Sequence, residues 1–226
     1  MKTLTFTLVA AFLFSCNSTQ KITETATSES STLAENTGTP KSSTAIPPAH
    51  GIEFFKNYMN ESYTNLENAV KGLTPEQLAY KPSEDRWSIA QCLEHIVLTE
   101  PHLYEYQKAA MSQPANPEKR SEIKFTDDQV MTMMLDRNHK AQAPAEAVPH
   151  GKYTDYQTAL NDLQAQRKTL LKELGNPSIS DLRNHVLDSP MGSIDAYQFL
   201  LFIPGHTMRH TLQIQEVKAS PGFPKN

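Results

Sequence analysis

Glycine is scarce in this 226-residue chain: there are 8, few for an all-β protein, which spends glycine on many tight turns. Cysteine is scarcer still. Cys16 and Cys92 are the two, with no C-x-x-C pair anywhere. That excludes a zinc-finger framework and permits at most one disulfide in an oxidising compartment. Charge of one sign is also missing. The formal net charge is −4 and no Lys/Arg stripe appears, so nothing invites nucleic acid. A glycine-rich nucleotide loop and a Ser/His/Asp set are both absent. What is present is ordinary globular content with a lean towards helix, and enough residues for one domain with a real core.

The first residues read as an export signal. Lys2 supplies the positive start, and Leu4 to Phe14 form an apolar run too short to span a bilayer as a mature helix. The run ends in Leu13-Phe14-Ser15-Cys16. A small residue directly before a cysteine at such a place resembles the bacterial lipobox, whose cysteine becomes the lipidated first residue. The expectation is a lipoprotein signal over 1–15 with lipidation at Cys16; the alternative is an ordinary cleaved signal in which Cys16 is incidental. Acylation of Cys16 would leave Cys92 as a buried free thiol. Asn17 is not an inner-membrane retention Asp, which points to the outer membrane of the cell envelope. Residues 16–49 are rich in Ser, Thr, Glu, Ala and Pro with almost no large apolar side chains, and are expected to form a disordered tether.

Residues 50–218 are expected to fold as an all-α four-helix bundle, followed by a tail over 219–226. Ile52, Phe55, Met59, Leu66, Val70 and Leu73 mostly recur at helical spacing, and Gly72 closes that first helix. A turn through Thr74-Pro75 follows. Ser88, with Gln91 three later, opens the second helix as a capping box, and Trp87 is placed to staple onto its first turn near Cys92. Its inner stripe is Ile89, Cys92, Leu93, Ile96, Leu103 and Tyr106 or Gln107, with an irregularity expected at Pro101. Thr126 and Gln129 cap a short extra helix in the long middle connection. Thr154 and Gln157 are expected to cap the third long helix, whose stripe is Tyr156, Leu160, Leu163, Leu170 and Leu174, ended by Gly175. An irregular stretch over 178–192 leads to Ser193 as N-cap of the last helix, bent at Pro204-Gly205.

The histidines carry the chemistry. His206-Thr207-Met208-Arg209-His210 sets two imidazoles four residues apart, so a helix projects both from one face, on the continuation of the Phe199–Ile203 row. Buried imidazoles need partners, and a shared cation satisfies one nitrogen of each. Alone, the pair is equally read as two partly exposed histidines, or as one core histidine bonded to a carbonyl. His95, one turn after Cys92, offers a third nitrogen from a neighbouring helix, which would complete a facial set with open positions. His102, two turns beyond His95, is a candidate for the pocket mouth. Gln213, beyond His210, could orient a ligand ring or a bound water; otherwise it makes a helix hydrogen bond or a dimer contact. His50, His139, His150 and His185 are read as solvated loop residues, and Glu94 and Glu100 as surface groups.

Two stretches, Arg86-Trp87-Ser88-Ile89-Ala90-Gln91-Cys92-Leu93-Glu94-His95-Ile96 and His206-Thr207-Met208-Arg209-His210-Thr211-Leu212-Gln213-Ile214, resemble the paired signatures of the DinB-like superfamily, four-helix bundles typified by the YfiT-type metal-dependent hydrolases. The resemblance runs from about His50 to Lys218 and implies that His95, His206 and His210 bind one divalent metal, zinc or nickel. Three neutral imidazoles leave the metal's charge uncompensated, which suits a bound hydroxide or thiolate and lowers the pKa of zinc-bound water to about 7. The expected activity is metal-dependent hydrolysis of a small substrate, or thiol S-transfer as the resemblance implies for some members. The alternative is a non-catalytic metal- or small-molecule-binding module, or a purely structural bundle without metal. The expected partners are a small-molecule substrate, the membrane through the lipid anchor, and a second copy in a homodimer.

Overall fold

The computed structural model describes residues 50–138, 142–189 and 191–225. The export signal, Cys16, the tether and His139 lie outside the described residues. The first long helix, α1 (Ile52–Val70), buries Phe55, Met59, Leu66 and Val70 on one face. It stops just before Gly72, whose φ of +78° suits a residue without a Cβ. The turn expected next closes into a single helical turn, α2 (Pro75–Ala79). Thr74 and Gln77 cap each other's backbone N–H groups there, and Pro75 occupies the first helical position, where its missing N–H costs nothing.

The second long helix, α3 (Ile89–Met111), begins at the expected capping box. The Gln91 N–H donates to Ser88 Oγ (3.2 Å), and the Ser88 N–H donates to Gln91 Oε1 (3.0 Å). It continues through Pro101 as one element, although proline supplies no N–H to the turn before it. The short extra helix is α4 (Asp127–Leu135), capped by Thr126 and Gln129.

Two expected caps are displaced. The third long helix, α5 (Tyr156–Leu174), is capped by Asp155 rather than Thr154: the Asp155 carboxylate accepts from the Thr158 N–H and hydroxyl, both at 2.8 Å. The last helix, α7 (Ala196–Lys218), is capped by Asp195 rather than Ser193, with Gln198 completing the box. A carboxylate near the positive end of the helix dipole is favoured there. Ser193 and Ile194 instead lie in a strand. The stretch expected to be irregular contains a short helix, α6 (Ile179–Arg183), and an antiparallel hairpin of β1 (Val186–Ser189) and β2 (Gly192–Asp195), with Val186 opposite Asp195.

The architecture is an all-α four-helix bundle of α1, α3, α5 and α7, in which α7 packs against α1, α3 and α4, and α3 against α5. The core divides into two apolar clusters. One gathers Phe55, Met59, Leu103, Leu170, Leu200 and Ile203; the other gathers Leu66, Ile89, Leu93, Ile96, Leu163 and Ile214. Between them in every long helix stands a buried polar residue: Ser62, Glu100, Arg167 and Thr207.

Arg167 ties this layer together. Its guanidinium donates to Glu100 Oε1 and Oε2 (2.9 Å each, through Nε and Nη2), to the Met59 carbonyl (2.6 Å), to Ser62 Oγ (3.0 Å) and to Thr207 Oγ1 (2.9 Å). All four long helices meet at one side chain. Glu100 is therefore not a surface group. It is 2 % exposed, and its charge is tolerated because it is paired and hydrogen-bonded.

Candidate metal centre

At the level of this polar layer, α3 and α7 bring three imidazoles together. His95 comes from the second turn of α3, while His206 and His210 project one turn apart from α7. His206 Nε2 lies 3.1 Å from His95 Nε2 and 3.1 Å from His210 Nε2. The ligand atoms of the three residues all fall within 4.8 Å of one another, a set that could hold a metal ion. Zinc bound tetrahedrally at about 2.0–2.1 Å would space two nitrogens about 3.3 Å apart, close to the observed separations.

The outer faces of the rings show why a cation fits. His95 Nδ1 donates to the Ala147 carbonyl at 2.7 Å, and His210 Nδ1 donates to Gln213 Oε1 at 2.9 Å. Both acceptors hold a proton on Nδ1, so both Nε2 atoms of the neutral rings present bare lone pairs to the centre. His206 Nε2 can carry at most one proton, and one proton cannot serve two neighbours 3.1 Å away. At least one lone pair of the cluster is then left without a donor from the other two rings, which a shared cation relieves.

Electrostatics favour neutral rings. Burial pushes His95 below its ordinary value, partly offset by the Ala147 hydrogen bond. His206 and His210 are pushed well below theirs, first by burial, then by the neighbouring histidines and by Arg209 and Arg137 respectively. Deprotonated imidazole is the form a metal requires.

Several supporting groups had no distinct signal in the sequence. Ala147 contributes only a carbonyl, which any residue would offer. Thr99 brings its hydroxyl to 3.3 Å from His95 Nδ1. Trp87, expected near Cys92, reaches the site itself: its ring lies 4.7 Å from that of His95 and stacks at 6.1 Å on His210. Glu94, expected at the surface, is 3 % exposed. Its carboxylate accepts the backbone N–H groups of His150, Gly151 and Lys152, each at 2.8 Å. It thereby pins to α3 the loop that carries the Ala147 carbonyl over His95.

The other histidines among the described residues fall outside the cluster. His102 is exposed on α3, and His150 is exposed in its loop. His50 is half-buried, stacked on Phe54 with Nε2 2.8 Å from Asp128 Oδ1. His185, expected to be solvated, is buried between the carbonyls of Asp181 (2.8 Å) and Gln113 (3.1 Å), where it joins α6 to the segment after α3. Cys92 is a free, fully buried thiol whose pKa burial pushes up to about 12; it is no nucleophile.

A family model described as the DinB superfamily matches residues 58–214. The uncharacterized protein YuaE of Bacillus subtilis (strain 168) is 26% identical over 159 residues, covering 70% of this chain and 94% of YuaE. Among solved structures, YfiT from Bacillus subtilis superposes with a TM-score of 0.51 at 16% identity, covering 76% of this chain and 88% of YfiT. YfiT is described as a probable metal-dependent hydrolase with an unusual four-helix bundle topology. At that identity the likeness is one of fold.

Proposed function

This chain belongs to the DinB superfamily, and from that premise we propose that it is an envelope-anchored, metal-dependent enzyme acting on a small substrate. One observation carries the reading: the Nε2 atoms of His95, His206 and His210 converge while Ala147 and Gln213 fix two of the rings from behind. When bound there, a zinc or nickel ion supplies Lewis acidity and lowers the proton affinity of a water or thiol it carries. The chain's own residues orient the ligands, and the Trp87 ring shields His95 and His210 from bulk water. The reaction is hydrolysis or S-transfer from a low-molecular-weight thiol. The anchor is a lipid on Cys16, with the outer membrane as its seat.

A second reading has a specific observation behind it. Among the described residues no carboxylate joins the cluster, so hydrolysis has no evident proton acceptor beside the ligands. That favours thiol transfer, or a non-catalytic metal-binding module, over hydrolysis. The deciding experiment is a panel of ester, amide and thiol–electrophile substrates offered to zinc- and nickel-loaded protein. Turnover that a chelator abolishes and added metal restores supports the enzyme. No turnover across the panel would leave the binding module, and turnover indifferent to chelator would overturn the metal-dependent reading.

A further inference from the structure

One flank of the metal centre carries charged groups that ligand binding does not use. Arg209 directly precedes His210, and Glu216 follows seven residues later, so both lie along one flank of α7 beside the histidine face. Arg86 directly precedes Trp87, whose ring rests on His95 and His210. Arg137 comes from the segment after α4.

These groups converge on a single carboxylate. Arg86 Nη2 donates to Glu216 Oε2 at 3.0 Å. Arg137 grips the same carboxylate in a two-pronged contact, Nε to Oε1 at 3.2 Å and Nη2 to Oε2 at 3.3 Å. Arg209 donates to the carbonyls of Met134 and Asp136, holding in place the segment that carries Arg137. Two guanidinium groups thus meet at the Glu216 carboxylate, and Arg86 adjoins the Trp87 ring that rests on His95 and His210. Planar two-pronged donors of this kind suit a carboxylate, and one is already seated there. Glu216 is also accessible, its side chain 40% exposed, so an incoming anion can compete for its place.

We propose that the substrate carries a carboxylate that docks on the Arg86–Arg137 fork while its reacting group sits at the three histidines, and that Glu216 occupies the fork as an internal carboxylate when substrate is absent. The inference deepens the metal reading and rests on it. It narrows the substrate class to small organic acids, because a carboxylate makes a charge-assisted, two-pronged contact with the fork that a neutral ligand of the same shape does not.

The test uses the full-length chain loaded with cobalt(II), whose visible bands report ligand exchange directly. The probes are ω-mercapto acids of three to six carbons, each paired with its isosteric amide. The acid is expected to bind at least about tenfold more tightly than the amide for the best-fitting length, in line with a charge-assisted contact. R86A/R137A should erase that preference while leaving cobalt stoichiometry and amide affinity unchanged. Glu216→Gln should tighten acid binding several-fold by removing the competitor. Equal affinity for acid and amide, or a preference that survives R86A/R137A, would overturn the proposal while leaving the metal site intact. Failure to bind cobalt at all would overturn both readings.

Discussion

Replacing Arg167 with leucine removes the charge that balances Glu100 in the middle of the bundle. The pair is almost dry, with side chains 6% and 3% exposed. The substitution strands a buried carboxylate and removes one hydrogen bond each from the Met59 carbonyl, Ser62 and Thr207. Breaking a buried ion pair from one side costs about 3–5 kcal/mol, because the surviving charge keeps its desolvation penalty. For a domain of this size that is a fall in Tm of roughly 6–20 °C. Burial already holds Glu100 above the usual carboxylate range despite Arg167, and losing the arginine raises it further. The folded variant then binds a proton that the unfolded chain does not. Its stability deficit against the native chain should therefore shrink as pH falls below the variant's raised folded pKa towards the ordinary carboxylate value. Urea unfolding of R167L at pH 7.5 and pH 5.5 measures both effects. Glu100→Leu combined with Arg167→Leu should recover much of the loss, since no charge remains stranded. A cost for R167L below about 1 kcal/mol, or a double variant as damaged as the two single losses added together, would refute the reasoning.

Three further outcomes follow from the site and the chain's start. Gln213→Ala removes the acceptor that orients His210 and should weaken metal binding about 10- to 100-fold with the helical circular dichroism unchanged; unaltered affinity would deny Gln213 that role. In metal-free protein the depressed histidines bind fewer protons folded than unfolded below about pH 6.5. Their contribution to stability is therefore present above that pH and lost as pH falls through their folded values, with a slope of about 1 kcal/mol per pH unit per ring. Glu100 and Asp195, raised chiefly by burial, act with the opposite sign, so the histidine share is read by comparing the native chain with His206→Leu, whose slope should be shallower by the contribution of one ring; parallel slopes would contradict the assignment. Metabolic labelling with a clickable palmitate analogue should mark the native chain and not Cys16→Ser, and label on both or neither would argue against lipidation at that residue.

Much of the architecture could be read directly because it depends on local chemistry. The Ser88–Gln91 and Thr126–Gln129 boxes are two-residue devices whose partners lie three positions apart, so sequence and structure coincide there. At Thr154-Asp155 and Ser193-Ile194-Asp195 competent caps stand next to or near each other, and the choice fell to the carboxylate in both. The hairpin was hidden for a different reason: Val186-Leu187-Asp188-Ser189 is too short to show an alternation, and its pairing with β2 is fixed by the turn and by neighbouring elements. Glu100 and Arg167 interrupt the apolar rows Ile96–Leu103 and Leu163–Leu170, but an isolated charge in such a row reads as a surface group, as Glu100 does. That they meet, however, is a fact of tertiary packing. The same holds at the histidines. The spacing of His206 and His210 sets two rings on one face, but the approach of His95, the Ala147 carbonyl and the Glu94-pinned loop depends on how α3 lies against α7.

Whether His95, His206 and His210 hold a metal decides the proposed function. Elemental analysis of the full-length chain, purified without a histidine tag, tests this most directly. The expected result is about one equivalent of a divalent transition metal per chain, lost in His206→Ala while the helical content is retained. Less than about a tenth of an equivalent in the native chain after incubation with zinc or nickel, or the same metal content in His206→Ala, would contradict it.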